Sequence, residues 1–149
     1  MSKKSKSLTR LVVVQALYQM EMAGTDVRDI INSLEDRLIF DNSFDHLISH
    51  ISKKLLTEII NGVIDNQSQI DSIIENNLSR DWKFNRLDKI LKAILRTAVY
   101  EISYKLNTPS KVIINEYIDI THSFYSQKEP EFINAILDKI AIVERESDG

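Results

Sequence analysis

Apolar residues recur at helical spacing along almost the whole chain, and this feature most constrains the fold. Between residues 87 and 102 they fall at i, i+3, i+4, i+7, i+8, i+11 and i+15, which places them on one stripe of a helix. Similar spacing runs through residues 7–22, 51–64, 70–78, 110–124 and 130–140. No alternating run bounded by turn residues indicates a strand. The pattern predicts an all-α protein of about seven helices packed as a bundle.

Polar residues and glycine suggest where these helices begin and end. The first helix is expected to stop before Gly24, and Thr25 to cap a shorter helix that includes Val27 and Leu34. Residues 36–45 are predicted to be loop. Asn85 is the expected cap of the helix over 87–102, because a side-chain oxygen there can accept a main-chain N–H of the first turn.

Composition excludes several classes of protein. The 149 residues fit one domain spanning 1–149, and the absence of cysteine excludes disulfides, thiolate nucleophiles and Cys-ligated zinc. The three glycines lie too far apart for a Walker A loop or a dinucleotide-binding turn. No apolar run is long enough for a membrane span or a secretory signal. A cytoplasmic protein with no membrane contact is therefore expected.

Histidines give no convincing metal or catalytic site. His46 and His50 have the spacing of a zinc-binding H-E-x-x-H helix, but Leu47 stands where the glutamate is needed. Asp119 and His122 have the carboxylate-x-x-His spacing of di-iron bundles, yet only one such motif is present. Nothing indicates a nucleophile placed beside a histidine. We expect no catalytic residues, no metal and no cofactor.

The distribution of charge is more informative than the net charge of −3. Residues 1–20 contain four basic and no acidic residues, and residues 80–96 contain six basic and two acidic ones. Two basic segments on an otherwise acidic chain predict one anion-binding surface if the fold brings them together. The alternative is that each segment is simply a solvated helix face.

The second basic segment combines cations with aromatic rings. On the predicted helix, Lys89, Lys92 and Arg96 lie at roughly 200°, 140° and 180° from Leu87, opposite the apolar stripe. Upstream, the sequence Arg-Asp-Trp-Lys-Phe at residues 80–84 suits phosphate contact and base stacking. The competing interpretation, which we favour, is that the two rings fill the core while the cations extend to solvent.

The first basic segment is predicted to be a flexible arm running into the first helix. Its cations are Lys3, Lys4, Lys6 and Arg10. Such an arm can neutralise phosphates and add salt-dependent affinity without sequence preference.

Four segments resemble the NusB transcription-antitermination family. They are VVVQALYQ at residues 12–19, AILRTAVYEI at 93–102, TPSKVIINEYIDITHSF at 108–124 and EFINAILDKIA at 131–141. The second resembles the family's I-L-R-x-A-x-Y-E segment, and the last two resemble its P-x-K-V-x-I-N-E and F-V-N-G-V-L-D-K stretches. Their order, spacing and the full chain length all match the family.

The resemblance implies a fold of two packed three-helix-type bundles and no catalytic activity. It implies binding to boxA-type RNA together with a small-subunit ribosomal protein, NusE, in a complex that joins RNA polymerase to suppress termination, notably during ribosomal RNA synthesis. The lysine-rich start corresponds to the family's arginine-rich start, although lysine lacks the planar fork of arginine. Gln15 is a candidate for RNA binding and Tyr18 for partner binding, with helix packing as the alternative role of both.

The chain also departs from the family pattern. Leu91 replaces a usual acid, Ala135 a glycine and Glu131 a basic residue, which leaves detailed contacts around Phe132 open. Asn115 and Glu116 match the family but are expected to serve as hydrogen-bond ties between helices.

The sequence leaves two alternatives to RNA-binding antitermination. A similar module begins certain RNA cytosine methyltransferases, but here no room is expected for a methyl-donor domain. A protein-interaction bundle without RNA contact is the second alternative, and homodimerisation stays open.

Overall fold

The computed structural model describes residues 3–26, 28–33 and 51–145. Its long helices are α1 Lys3–Ala23, α2 Lys53–Asp65, α3 Gln67–Asn77, α4 Lys89–Tyr104, α5 Ser110–Phe124 and α6 Glu129–Arg145. Residues 28–33 are also helical, and a 3-10 turn over Phe84–Arg86 precedes α4. Because these ranges contain no strand, the all-α prediction is confirmed. The predicted loop at 36–45, the helix positions Val27 and Leu34, and His46 and His50 lie outside the described residues.

The chain groups into two compact units, Met1–Asn61 and Gly62–Gly149. A single domain spanning 1–149 stays a prediction. In the first unit, the buried Thr9 hydroxyl donates to the Ser5 carbonyl oxygen at 2.7 Å and accepts the Ser52 N–H at 3.0 Å. Thr9 therefore ties the first turns of α1 to the segment that leads into α2.

Helix α1 begins earlier than its apolar pattern indicates. Lys3, Lys4 and Lys6 lie inside the helix, so the prediction of a flexible N-terminal arm is wrong for these residues. Lysine is a good helix former, and the buried Ser5 and Thr9 hold this part of α1 against the protein. The predicted stop is correct, because the helix ends at Ala23 and Gly24 adopts a φ of 65°, a left-handed conformation that glycine accepts without strain.

The start of α4 differs from the predicted one. Asn85 lies within the 3-10 turn, so its side chain is not positioned to cap α4. Asp88 is the cap instead, and its carboxylate accepts the Ile90 N–H at 3.1 Å. The negative charge of this carboxylate also interacts favourably with the positive end of the helix dipole.

The short helix at residues 28–33 is likewise preceded by an aspartate. The Asp26 carboxylate, rather than the predicted Thr25 hydroxyl, accepts the Arg28 N–H at 3.2 Å. Asn66 interrupts the run between α2 and α3 as the sequence indicated, and its side-chain amide donates to the Gly62 carbonyl oxygen at 2.8 Å.

The second unit is built around α4, which packs against α3, α5 and α6. Ten of its residues are buried, including Ile94, Leu95 and Ile102 at 0% exposure. Glu101 is also fully buried and accepts a hydrogen bond from the Tyr117 hydroxyl on α5. Of the predicted ties between helices, Glu116 is buried and Asn115 is exposed.

Arg145, the last residue of α6, holds the end of α4 in place. Its guanidinium donates to the main-chain oxygens of Ile102 at 2.9 Å, Thr108 at 2.7 Å, Lys105 at 3.2 Å and Glu101 at 3.4 Å. Partial burial desolvates the group and lowers the pKa of Arg145 from its ordinary value. The guanidinium still stays charged at neutral pH, so it complements the negative end of the α4 dipole.

Arg145→Ala should lower the free energy of unfolding by about 2 kcal/mol, because charge-assisted hydrogen bonds to the end of α4 are lost. Urea denaturation followed by circular dichroism measures the change. Arg145→Lys should recover less than half of the loss, since an ammonium group lacks the planar fork. Full recovery by lysine would show that charge alone, and not the set of directed hydrogen bonds, stabilises this end.

Candidate nucleic-acid interface

The first basic segment presents most of its cations to solvent on α1. Lys3, Lys4 and Lys6 are exposed, and so is Gln15. Tyr18, three residues beyond Gln15 and therefore on the same side of the helix, is half-buried. Lys4 lies on the same side of α1 as Gln15, whereas Lys6, nine residues before Gln15, lies on the opposite side.

Arg10 differs from the three lysines. Its side chain is only 5% exposed and is engaged within the fold. Since a buried guanidinium must be paired to be tolerated, Arg10 stabilises the protein around α1. Its predicted role in RNA binding therefore has less support than that of the lysines.

The second basic segment divides into exposed and engaged cations. The exposed ones are Arg80, Lys83, Arg86 and Lys89, which lie in the loop before α4 and in its first turn. Lys92 and Arg96, further along α4, are half-buried. Whether this segment lies beside the first basic segment stays a prediction.

Arg96 is held by a bidentate ion pair with Asp71 on α3. The Arg96 Nε lies 2.8 Å from Asp71 Oδ1, and Nη2 lies 3.1 Å from Oδ2. The two side chains are only 14% and 22% exposed, so this pair links α3 to α4 away from most of the solvent. Arg96 is the arginine of the I-L-R segment. Its guanidinium therefore stabilises the fold by its ion pair with Asp71.

Both half-buried cations also contact the Phe84 ring. Lys92 Nζ and Arg96 Cζ each lie 5.3 Å from the ring centroid, within the range of a cation–π contact. Phe84 itself is buried, as the core interpretation predicted. Lys92 and Arg96 therefore help to fix the position of the 3-10 turn, which carries the exposed Arg86 and directly follows the exposed Lys83.

Trp82 is only half-buried and stacks on Phe132 of α6. The ring centroids are 4.2 Å apart and the planes are inclined by 27°. Beside this pair lies an open cleft of about 230 Å³ lined by Glu75, Leu78, Trp82, Lys83, Phe84 and Asn85. A cation, an indole ring and polar side chains thus meet at one place, a combination suited to single-stranded nucleic acid.

The sequence did not indicate two residues that shape this region. Asp71 gave no signal, because an ion pair between residues 25 positions apart leaves no local pattern. Phe132 lies in a segment that resembles the family, and its stacking on Trp82 depends on the way the chain between them folds.

No group of three or more metal-binding side chains occurs within residues 3–26, 28–33 and 51–145. Asp119 and His122 are both exposed, at the end of α5. None of the described helices is long and apolar enough to cross a membrane.

These features define an all-helical protein whose surface cations and aromatic rings suit it to bind a polyanion. A profile of the NusB family matches residues 7–142. The transcription antitermination protein NusB of Brucella anthropi is 37% identical over 145 residues, covering 97% of this chain and 86% of its own length. The chain belongs to the NusB family.

Solved structures agree with the fold. NusB of T. maritima superposes with a TM-score of 0.73 at 30% identity, over 95% of this chain and 92% of its own. A structure of the antitermination factors NusB and NusE in complex with double-stranded RNA superposes with a TM-score of 0.75 over 95% of this chain and 99% of its own. At 19% identity, the second comparison supports the fold alone.

Proposed function

We propose that this NusB-family protein is a non-enzymatic adaptor that binds boxA-type single-stranded RNA of nascent ribosomal transcripts. In this role it acts with a NusE-type ribosomal protein and the antitermination complex of RNA polymerase, in the cytoplasm. The name of its relatives supports the proposal, and a NusB of the same fold is known in a complex with NusE and RNA. The observation that carries it for this chain is the exposed cationic first turn of α1, with Gln15 on the same helix.

The proposed RNA contacts are the exposed cations. Lys3, Lys4 and Lys6 contact phosphates at one surface, and Lys89 does so at the other. Gln15 offers an amide that can hydrogen-bond a base or the sugar–phosphate backbone. Tyr18 is the proposed contact to the protein partner, because a half-exposed tyrosine supplies apolar area and a hydroxyl at an interface.

The three remaining candidate RNA-binding residues make contacts within the protein and are proposed to support the RNA-binding surfaces indirectly. Arg10 is buried, Arg96 pairs with Asp71, and Lys92 lies over the Phe84 ring. We assign these side chains to positioning the RNA-binding surfaces, so their replacement should reduce stability together with affinity.

The triple substitution Lys3→Glu, Lys4→Glu and Lys6→Glu should weaken RNA binding at least about tenfold at physiological salt, for boxA and scrambled sequences alike. Each lost phosphate contact lowers the slope of log affinity against log salt by about 0.7 for a single strand, so a decrease of about 2 is expected. Fluorescence anisotropy of labelled RNA over a range of salt concentrations measures both quantities, with and without NusE.

The matched control is the triple substitution Lys54→Glu, Lys111→Glu and Lys139→Glu, which changes the net charge equally at other exposed lysines. Equal losses in the two triple variants would mean that only net charge matters and would refute the α1 site. Binding to NusE without any RNA binding would favour the protein-interaction module instead.

A further inference from the structure

The cleft beside Trp82 has a lining that fits one unstacked nucleobase. We propose that it takes a base whose exocyclic amino group is at purine C6 or pyrimidine C4, that is adenine or cytosine, from the RNA strand bound by the protein. This inference rests on the proposed RNA-binding function and adds a base-selective site to it.

Trp82 supplies the stacking surface. Its ring has Phe132 against it at a centroid distance of 4.2 Å and also borders the cleft. A ring fixed in this way loses little freedom when a base stacks on it. Stacking of a base on an aromatic side chain contributes about 1–3 kcal/mol and accepts every base, so it supplies affinity without selectivity.

Phe84 and Leu78 form the apolar part of the cleft. Phe84 is 8% exposed and is held beneath Lys92 and Arg96. The volume of about 230 Å³ lies below the range of roughly 300–1,000 Å³ typical of pockets for larger small molecules. A single planar ring system is therefore a better fit than a whole cofactor.

Two polar side chains at the cleft supply the selectivity. Glu75 and Asn85 are exposed, and neither side chain forms a hydrogen bond within the part of the chain that the structure describes. A carboxylate accepts hydrogen bonds from an amino group such as cytosine N4, and an amide can pair with adenine. Uracil presents a carbonyl oxygen where cytosine has its amino group, so the Glu75 carboxylate would oppose it.

Lys83 adds a cation to the same cleft. It is exposed, and no acidic partner contacts it among the described residues. The ammonium group can contact the phosphate of the stacked nucleotide as a point charge. The cleft thus offers a stacking ring, hydrogen-bonding groups and a phosphate contact to one nucleotide.

The chain has one tryptophan, so Trp82 reports directly on this cleft. Hexaadenylate, hexacytidylate and hexauridylate are titrated while the tryptophan emission is recorded and corrected for absorption by the oligonucleotide. Binding of each labelled oligonucleotide is measured separately by anisotropy. We expect saturable quenching by the adenylate and cytidylate, and at least fivefold weaker affinity for the uridylate.

Variants separate the contributions of the side chains. Glu75→Gln should bring the affinities for cytidylate and uridylate within twofold of each other, because the amide can also donate to a carbonyl oxygen. Lys83→Ala should weaken all three about threefold or more. The controls are Asp119→Asn and Lys139→Ala, exposed residues outside the cleft whose replacement should leave both the quenching and the preference unchanged.

Binding of RNA by anisotropy without quenching of Trp82, or quenching with equal affinity for cytidylate and uridylate, would overturn the base site and leave the proposed function standing. The base site would also be overturned if the Glu75→Gln variant still bound cytidylate more tightly than uridylate by the same factor. No binding of boxA or any of the oligonucleotides would refute the proposed function and the base site together.

Discussion

Glu101→Ala is expected to lower the free energy of unfolding by about 4 kcal/mol. Glu101 is fully buried in α4 and accepts the hydrogen bond of the Tyr117 hydroxyl on α5. Alanine removes that acceptor, which costs about 1–3 kcal/mol at a buried site, and leaves a cavity whose cost is of similar size. Urea denaturation monitored by circular dichroism measures the change.

Two other variants test the cause of this loss. Glu101→Gln keeps a side-chain oxygen as acceptor and nearly the same volume, so a loss of about 1–2 kcal/mol is expected. Glu131→Ala, an exposed position on α6, should change stability by less than about 0.5 kcal/mol. If Glu101→Gln were as damaging as Glu101→Ala, the hydrogen bond to Tyr117 would not be the main contribution.

Gly62→Ala should lower the free energy of unfolding by about 3 kcal/mol. A Cβ atom at this position of α2 would overlap Cε1 and Cζ of the Tyr100 ring. Tyr100 is only 8% exposed and stacks on Tyr104 at a centroid distance of 5.4 Å, so the ring has little room to move. Overpacking of this kind typically costs about 1–3 kcal/mol and outweighs the gain of roughly 1 kcal/mol in helix propensity.

A double-mutant cycle identifies the overlap as the cause. In a Tyr100→Leu background the outer part of the ring is absent, and Gly62→Ala should then be neutral or stabilising. Asn61→Ala, at the preceding exposed position, is the control without overlap. An equal loss from Gly62→Ala in both backgrounds would contradict the proposed contact with Tyr100.

The sequence predicted the helices well because each one buries a continuous apolar stripe. The stripe at residues 87–102, for example, corresponds to α4, whose inner positions are buried. Exact starts were less predictable, since Asn85 and Asp88 are both good capping residues. The fold selects Asp88, because Asn85 belongs to the 3-10 turn that orients Phe84 beneath its cations.

The site was harder to predict, because a cation on the polar face of a helix looks the same whether it binds a ligand or a neighbouring helix. Lys89, Lys92 and Arg96 share one side of α4, yet only Lys89 is exposed. Arg96 forms an ion pair with Asp71, which lies on α3. Trp82 and Phe132 are 50 positions apart, so no local spacing could indicate their stacking.

The helical start of α1 alters how its positive charge would meet a flexible RNA strand in the proposed function. An extended arm would distribute Lys3, Lys4 and Lys6 along the ribose–phosphate chain, whereas one helical turn confines them to about 4.5 Å of axial rise. In the proposed RNA-binding role, the three ammonium groups would therefore present their positive charge within one short segment of the helix. Fixing a backbone residue costs roughly 1–2 kcal/mol of conformational freedom, and folding of α1 has already met that cost for these residues, so the proposed RNA binding would not have to.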